Sequence, residues 1–318
     1  MIEVAKVRFL FATDLHGSEA VWRKFLNSVK LFNLDALVLS GDMTGKLIIP
    51  IVEEPDGRYK STLLGQEYIL TEDQIAEYSK KVRFTGYYPY VTTPEEAQAL
   101  RASEERREAL FEKLMVDSVR MWFDLVPERV PKNVRVIISP GNDDKLAIDE
   151  VIRSHPSVIY GESNVIAFDE EHEVACCAWS NPTPWNSPRE CEEDELYRRL
   201  EKIVSEVKHL QTAVFCFHCP PHNSGLDTAP QLDKDLRPVV VGGSPVMIPV
   251  GSTAVRKIIE EYQPFLGLHG HIHESAGYVK IGRTMCLNPG SEYSEGILRS
   301  FLVEIDGTKI KRLQKVEG

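Results

Sequence analysis

The chain has 318 residues and a formal net charge of −11, from 37 basic and 48 acidic side chains. This acidic balance argues against non-specific nucleic-acid binding, which depends mainly on basic side chains. Hydrophobic residues make up 42% of the chain, and no apolar run approaches the roughly 18 residues that a membrane span needs. Since no basic leader with a cleavage site is visible at the N-terminus, we expect a cytoplasmic protein.

Apolar runs along the chain predict β-strands, with helical patterns between the early ones. The predicted strands are 6–12, 35–40, 133–139, 165–168, 173–179, 212–217, 265–269, 284–287 and 300–305. The predicted helices with the clearest apolar spacing are 18–31, 194–209 and 251–262. This alternation is typical of an α/β domain with a parallel sheet covered by helices. Because fewer helices separate the later strands, we expect a second, mixed sheet within one domain over 1–318.

Residues 45–130 interrupt this alternation and are predicted to be an insertion, because ordinary connections are much shorter. The segment begins with a predicted hairpin around Pro55, Asp56 and Gly57. It ends in an amphipathic helix whose apolar residues run from Leu110 to Val126. The apolar stripe has to be covered, so we expect the segment to pack on the main body. It would serve there either as a cap over a site or as structural decoration.

Side chains that can bind metal follow five of the predicted strands, each at the point where the strand ends. They are Asp14, His16, Asp42, Asn142, His218, His271 and His273. Ligand crevices in open α/β sheets form at this carboxyl edge. Each residue alone has an ordinary explanation, as a turn former, a helix cap or a core histidine. Their coincidence at one edge predicts that they meet around metal.

The chemistry of these seven side chains indicates two metal ions. Two carboxylates, one amide oxygen and four imidazoles suit Mn, Fe, Zn, Co or Ni, with manganese favoured. Seven ligands are too many for one tetrahedral ion, and a carboxylate such as Asp42 can bridge two. A pair of divalent ions can hold a bridging hydroxide and stabilise a phosphoryl group.

The ordered set DLH, GD, GND, His and GHIH resembles the calcineurin-like metallophosphoesterases, whose pattern is DxH, GDxx, GNH[DE], a lone histidine and GHxH. The resemblance covers nearly the whole chain apart from the insertion, and the C-terminal part is similar to a prokaryotic branch of small members. It implies a four-layer α/β/β/α sandwich of two mixed sheets flanked by helices. It implies one ion held by Asp14, His16, Asp42 and His273. It implies a second ion held by Asp42, Asn142, His218 and His271.

One position departs from that pattern. The family usually has a histidine after the GN asparagine, acting on the leaving-group oxygen or the phosphate, and here the residue is Asp143. A carboxylate would repel a phosphate unless it is protonated or turned aside, so the proton donor is in question. His222 is an alternative donor, against an ordinary role as a surface-loop histidine. Asp144 is expected to orient a metal ligand from outside the coordination sphere.

Four further features have simpler explanations. Cys216 and Cys219 form a CxxC on an apolar strand, where buried small side chains are a better interpretation than redox chemistry. The segment 41–46 departs from a P-loop, although Lys46 could approach a substrate phosphate. His269 is expected either to face the core or to support a metal ligand from outside the coordination sphere. Residues 288–291 form a turn by composition, and a role in lining the site rests on the resemblance alone.

The sequence therefore predicts a metal-dependent phosphoesterase in which a metal-bridging hydroxide attacks a small phosphorylated substrate. Phosphodiesters or nucleotide-like substrates are favoured over monoesters, because the usual imidazole donor is missing. The alternative is a non-catalytic scaffold of the same fold that binds other proteins. A third hypothesis is hydrolysis of carbon–nitrogen or acyl bonds at a two-metal site. No membrane partner is expected, and the oligomeric state stays open.

Overall fold

The computed structural model describes residues 6–318, which adopt an α/β fold with several mixed sheets. The strands are β1 (Lys6–Ala12), β2 (Ala36–Ser40), β3 (Ile48–Glu53), β4 (Tyr59–Leu63), β5 (Gln66–Leu70), β6 (Tyr88–Thr92), β7 (Arg135–Ser139), β8 (Ile159–Tyr160), β9 (Val165–Ala167), β10 (Glu173–Cys177), β11 (Val214–Phe217), β12 (Thr228–Pro230), β13 (Val240–Val241), β14 (Ser244–Pro245), β15 (Met247–Pro249), β16 (Leu266–Leu268), β17 (Gly277–Ile281), β18 (Thr284–Asn288), β19 (Arg299–Asp306) and β20 (Lys309–Glu317). The helices are α1 (Glu19–Phe32), α2 (Ile75–Phe84), α3 (Pro94–Ala102), α4 (Glu104–Asp124), α5 (Val126–Arg129), α6 (Ile148–Ser154), α7 (Glu193–Val204) and α8 (Thr253–Tyr262). The predicted α/β class is confirmed.

The first six-stranded sheet has the order β20-β19-β1-β2-β7-β8. Strands β1, β2, β7 and β8 run parallel, and β19 and β20 are antiparallel to their neighbours. The chain therefore leaves β1, β2 and β7 at the same edge of the sheet. The strand predicted at 300–305 is β19, which lies beside β1 in this sheet and not in the second sheet with the other late strands.

The second six-stranded sheet has the order β17-β18-β16-β11-β10-β9. Its four central strands run parallel, and the two edge strands are antiparallel. The mixed second sheet expected from the sequence is therefore confirmed. His218 follows β11 directly, and the GHIH segment follows β16. The parallel pairing of β11 and β16 brings these segments to one edge.

The two six-stranded sheets share an apolar core. Phe9, Val38 and Ile137 of the first sheet belong to the same buried cluster as Cys216 and Leu268 of the second. Burial of apolar surface on this scale is the main favourable contribution to folding. The core fixes how one sheet lies against the other, and therefore where their carboxyl edges meet.

Helices cover the opposite face of each large sheet. Helices α1, α4 and α6 pack in one apolar cluster with the first sheet, and α7 and α8 in another with the second. The helix predicted at 251–262 is α8, whose N-cap Ser252 accepts a hydrogen bond from the Val255 amide. Among residues 6–318, no helix combines the length and apolar character needed to cross a membrane.

The inserted segment forms a separate four-stranded sheet in the order β5-β4-β3-β6, with its own small core around Ile51, Tyr78 and Val82. The predicted hairpin is formed by β3 and β4. The predicted amphipathic helix is α4, and its Trp122 ring stacks on Trp22 of α1 with centroids 5.3 Å apart. The two further strands and the helices α2 and α3 were not predicted.

The CxxC cysteines are buried and free. Cys216 lies in the core between the large sheets, and Cys219 packs with α7 and α8. Burial raises the pKa of the Cys219 thiol to about 12. An inert role in packing therefore fits both residues better than redox chemistry does.

Candidate metal centre

The segments after β1, β2, β11 and β16 converge at the carboxyl edge of the two sheets. Ligand atoms of Asp14, His16 and His273 all lie within 4.8 Å of one another. Ligand atoms of Asp42, His218 and His271 form a second group with the same spacing. Six of the seven predicted ligands thus come together in two groups, and we call these groups the first and the second cluster.

The seventh predicted ligand, Asn142, joins the second cluster. Its Oδ1 lies 2.9 Å from Nε2 of His218. Its amide nitrogen donates a hydrogen bond to Ser187 Oγ at 2.9 Å, which turns the amide oxygen towards the histidine. The second cluster therefore offers a carboxylate, an amide oxygen and two imidazoles.

Asp42 lies between the two clusters. Its Oδ1 is 3.5 Å from His218 Nε2, and its Oδ2 is 3.8 Å from His16 Nε2. One carboxylate thus presents an oxygen to a histidine of each cluster. This is the arrangement that a ligand bridging two cations needs.

The hydrogen bonds of the Asp14 carboxylate indicate whether the clusters suit a cation. Its Oδ2 accepts hydrogen bonds from Thr13 Oγ1 at 2.6 Å and from the His271 amide at 3.0 Å. Its Oδ1 is buried and has no hydrogen-bond partner among residues 6–318, although it lies 3.5 Å from His273 Nε2. A buried carboxylate oxygen without a partner is unfavourable. A cation facing Oδ1 would satisfy it, so the residues fit a metal.

The first cluster also contains a direct contact between two imidazoles. Nε2 of His16 lies 3.1 Å from Nε2 of His273. Without a metal, this contact requires one nitrogen to be protonated and the other not. Two Nε2 lone pairs directed at the same space are what a shared metal ion would use.

Three of the candidate ligands adopt an unusual backbone conformation. The φ values of Asp14, His16 and His271 are 54°, 41° and 66°. These values lie in the left-handed region, which residues other than glycine rarely adopt. Such strain persists only where the surrounding structure enforces it, and it occurs often at functional sites. Gly41 has φ 107°, and a Cβ there would overlap the His218 ring. Glycine is therefore required beside the second cluster.

The charges of neighbouring side chains and burial shift several pKa values in the two clusters. Burial alone would raise the pKa of Asp42, but the charge of His218 and a hydrogen bond from it hold that pKa well below its usual range. Burial alone would lower the pKa of His218, yet the charge of Asp42 raises it to about 9. Burial lowers the pKa of His271 to about 4 and that of His16 to about 3. Neutral imidazoles are the form that binds metal, and a bound metal would displace the His218 proton.

Asp143 lies beside the clusters, and its carboxylate is paired. Its Oδ2 forms an ion pair with the Lys46 ammonium, with Nζ at 2.9 Å. Its Oδ1 accepts a hydrogen bond from the Ser187 hydroxyl at 3.0 Å. Its amide donates to Asp42 Oδ1 at 2.9 Å. Burial and the charge of Asp42 raise the pKa of Asp143, while Lys46 opposes this rise. Asp143 is thus held by a lysine whose approach to the site the sequence indicated.

Asp144 lies under the clusters and holds two loops together. Its carboxylate accepts the amides of Met43, Thr44 and Gly141, and the Thr44 hydroxyl at 2.6 Å. It therefore fixes the loop of Asp42 against the loop of Asn142 through their backbones. The expected role of Asp144, orienting a metal ligand from outside the coordination sphere, stays a prediction. Burial and the charge of Asp42 raise its pKa to about 6.

His222 belongs to neither cluster in the part of the chain that the structure describes. Its ring Nδ1 lies 3.9 Å from Asp227 Oδ2, and its side chain is partly exposed. A role for His222 as proton donor stays a prediction. His269 is buried, with Nδ1 2.8 Å from the Phe217 carbonyl, so its predicted core position is confirmed.

The roles of several residues near the site could not be predicted from the sequence. The Asn288 amide donates to the Ile272 carbonyl at 2.9 Å and so holds the loop of His271 and His273. The Tyr293 ring packs on His16 with centroids 4.7 Å apart. Ser187 and Tyr293 carry no sequence signal, because their positions depend on contacts between distant loops.

Comparison with known proteins gives the fold but no activity. No protein-family model matches the chain. The uncharacterized protein MJ1162 of Methanocaldococcus jannaschii is 33% identical over 158 residues, which span 49% of this chain and 64% of that protein. A crystal structure of TT1561 of Thermus thermophilus matches with a TM-score of 0.52 at 13% identity, over 98% of this chain and 99% of that one. Another solved structure matches with a TM-score of 0.59 at 16% identity, with the same coverage.

Proposed function

We propose that this chain is a binuclear metal-dependent phosphoesterase of the calcineurin-like metallophosphoesterase family. Phosphodiesters or nucleotide-like esters are its substrates. The observation that carries the proposal is the meeting of the two clusters around Asp42, with a partnerless Asp14 oxygen buried between histidines. The cytoplasmic location expected from the sequence belongs to the same proposal.

The donor set supports two divalent transition-metal ions, with manganese favoured. Asp14, His16 and His273 would hold one ion, Asn142, His218 and His271 the other, and Asp42 both. When bound, such ions stabilise the charge that develops on a phosphoryl group and lower the pKa of water. Asp144 and Asn288 fix the loops that carry the ligands, so the donor atoms keep their spacing.

For the fold, we propose that the two large sheets and their helices form a four-layer α/β/β/α sandwich. It is supported by the apolar core shared between the two large sheets and by the helical clusters on their outer faces. In this arrangement the clusters lie at one end of the sandwich, where loops from both sheets meet.

The insertion 45–130 is proposed to border the mouth of the site as a cap. Lys46, at its start, reaches Asp143. The Phe84 carbonyl accepts the Ser18 hydroxyl at 3.0 Å. These two contacts tie the inserted segment to the loops that carry His16 and Asn142. Within the segment, the Tyr88 hydroxyl accepts the Gly45 amide at 2.7 Å and so fixes its start, three residues after Asp42.

An exposed aromatic side chain supports a nucleotide-like substrate. Trp185 is 65% exposed and lies two residues before Ser187, which contacts both Asn142 and Asp143. A base stacked on an exposed aromatic ring gains about 1–3 kcal/mol. Trp185 would therefore hold the organic part of the substrate while the clusters hold the phosphate.

Side-by-side turnover of a generic phosphodiester, a phosphomonoester and an amide, with added Mn²⁺, tests this proposal. We expect the diester to be hydrolysed fastest and the amide not at all. The metal content of the same preparation is measured by elemental analysis. Two ions per chain without hydrolysis of any substrate would favour the scaffold alternative, and amide hydrolysis would favour the carbon–nitrogen hydrolase.

A further inference from the structure

The feature that the proposed function leaves unexplained is the carboxylate of Asp143 at a phosphate site. A ligand atom of Asp143 lies within 4.8 Å of ligand atoms of both His16 and Asp42. A phosphate bound at the two clusters would therefore lie close to this carboxylate. Both Asp143 oxygens are fixed, one by Lys46 and the other by Ser187, so the carboxylate cannot turn away without losing these contacts.

Lys46 supplies the opposite charge at the same place. Its ammonium has three N–H donors, and its ion pair is with Asp143. The Lys46 side chain is 43% exposed and that of Asp143 is 29% exposed, so both groups are partly accessible to solvent. Within the part of the chain that the structure describes, Asp143 is the only ion-pair partner of Lys46, so the remaining N–H donors can bind a phosphate oxygen.

We propose that the Lys46–Asp143 pair makes the site selective for singly charged phosphodiesters over doubly charged phosphomonoesters. This inference rests on the proposed function, because it needs a phosphate at the two clusters. Lys46 binds one phosphate oxygen, and the fixed carboxylate repels a second negative charge. A diester carries one charge on two free oxygens, whereas a monoester carries nearly two charges on three. The third oxygen of a monoester is the one that would meet Asp143.

The test compares binding of dimethyl phosphate and methyl phosphate to the Mn²⁺-loaded protein by calorimetry, at about pH 8, where methyl phosphate is doubly charged. Asp143→Asn removes the charge and keeps the shape of the side chain. We expect this variant to raise the affinity for methyl phosphate relative to dimethyl phosphate about tenfold, which lies between the effect of one close charge pair in bulk water and its effect near a protein surface.

Lys46→Met is the second variant and has the opposite effect. It leaves the Asp143 carboxylate uncompensated, so both probes should bind more weakly and methyl phosphate should lose about tenfold more than dimethyl phosphate. Lys145→Met is the matched control. Lys145 pairs with Glu108 and packs on the Phe111 ring, so its loss should leave the affinity ratio unchanged.

Three results would overturn the inference. The first is an unchanged ratio of methyl phosphate to dimethyl phosphate affinity in both Asp143→Asn and Lys46→Met. The second is loss of a metal ion from Asp143→Asn in elemental analysis, which would make Asp143 a ligand. The third is a wild-type protein that carries two ions and binds neither probe. Because the readout is binding, a failure of the proposed catalysis shows separately, as absence of turnover with an intact affinity ratio.

Discussion

Asp42 follows a strand of the first sheet and directs Oδ1 to Nε2 of His218, which follows a strand of the second sheet, at 3.5 Å. The shared apolar core sets this distance, because it holds the two sheets against each other. Packing far from the site therefore determines whether the two clusters can share a carboxylate.

The first prediction concerns Asp42 as the shared ligand. Asp42→Asn should reduce the metal content from two ions per chain to one or none. Turnover should fall by at least about a hundredfold, since even residues that only support metal ligands often contribute that much. Elemental analysis and steady-state kinetics measure both effects. Asp235→Asn, in an exposed loop, is the control and should change neither. Full metal content in Asp42→Asn would refute the bridging role.

The second prediction uses two glycines with positive φ. Gly41 has φ 107°, and a Cβ there would overlap the His218 ring, whereas Gly57 has φ 80° and open space around it. Gly57→Ala should lower the free energy of unfolding by about 1 kcal/mol and leave the metal content intact.

Gly41→Ala should show the same backbone effect and also displace His218 from the second cluster. We expect it to lower the free energy of unfolding by about 3 kcal/mol and to lose one metal ion. Chemical denaturation and elemental analysis of the two variants measure the difference. Equal metal content in both would mean that His218 is not a ligand.

The third prediction concerns Trp185 and the organic part of the substrate. Trp185→Ala should weaken binding of a nucleotide-like phosphodiester about tenfold and leave binding of dimethyl phosphate unchanged, because a methyl group offers no ring to stack. Tyr278→Ala removes another exposed aromatic ring, 59% exposed, and serves as the control. A similar loss for both phosphate ligands in Trp185→Ala would count against stacking.

The fourth prediction is a pH dependence of stability at Glu162, away from the clusters. Burial raises the pKa of Glu162, although the Ala178 amide, the Ser163 hydroxyl and the Arg189 charge oppose the rise. A carboxyl with a raised pKa binds its proton more tightly in the folded state, so stability falls as pH rises from about 4.5 through the folded pKa.

Glu162→Gln mimics the protonated form and should remove this slope. As the pH rises from about 4.5 to 7, the free energy of unfolding should therefore fall more in the wild type than in Glu162→Gln. The variant becomes more stable relative to the wild type over this range. Urea denaturation at a series of pH values measures it. If the free energy of unfolding changed with pH in the same way in both proteins, burial would not raise the pKa of Glu162.

Much of the site could be predicted from the sequence because its residues follow apolar strands. A buried strand leaves a clear pattern, and parallel strands end at one edge, so Asp14, Asp42 and His218 could be expected to meet. The pattern does not encode which sheet an apolar strand joins. The sequence therefore predicts a strand at 300–305 but not that it lies beside β1, because its antiparallel partners are set by tertiary packing.

The residues that the sequence did not reveal are held by long-range polar contacts. Ser187 reaches Asp143 because Glu190 accepts the Ser187 amide at 2.8 Å and shapes its loop. The sequence predicts that Asp144 orients a metal ligand, but not that it binds the backbones of two loops. Such roles depend on loop geometry, which has no periodicity to read in a sequence.

The central claim is that seven side chains from both sheets hold two metal ions. Elemental analysis of the protein purified after growth with manganese, together with the Asp14→Asn variant, tests it most directly. We predict two divalent ions per chain in the wild type and fewer in the variant, because Asp14 Oδ1 would lose its charge where a cation should face it. A wild-type protein without bound metal, or a variant with the same metal content, would contradict the account.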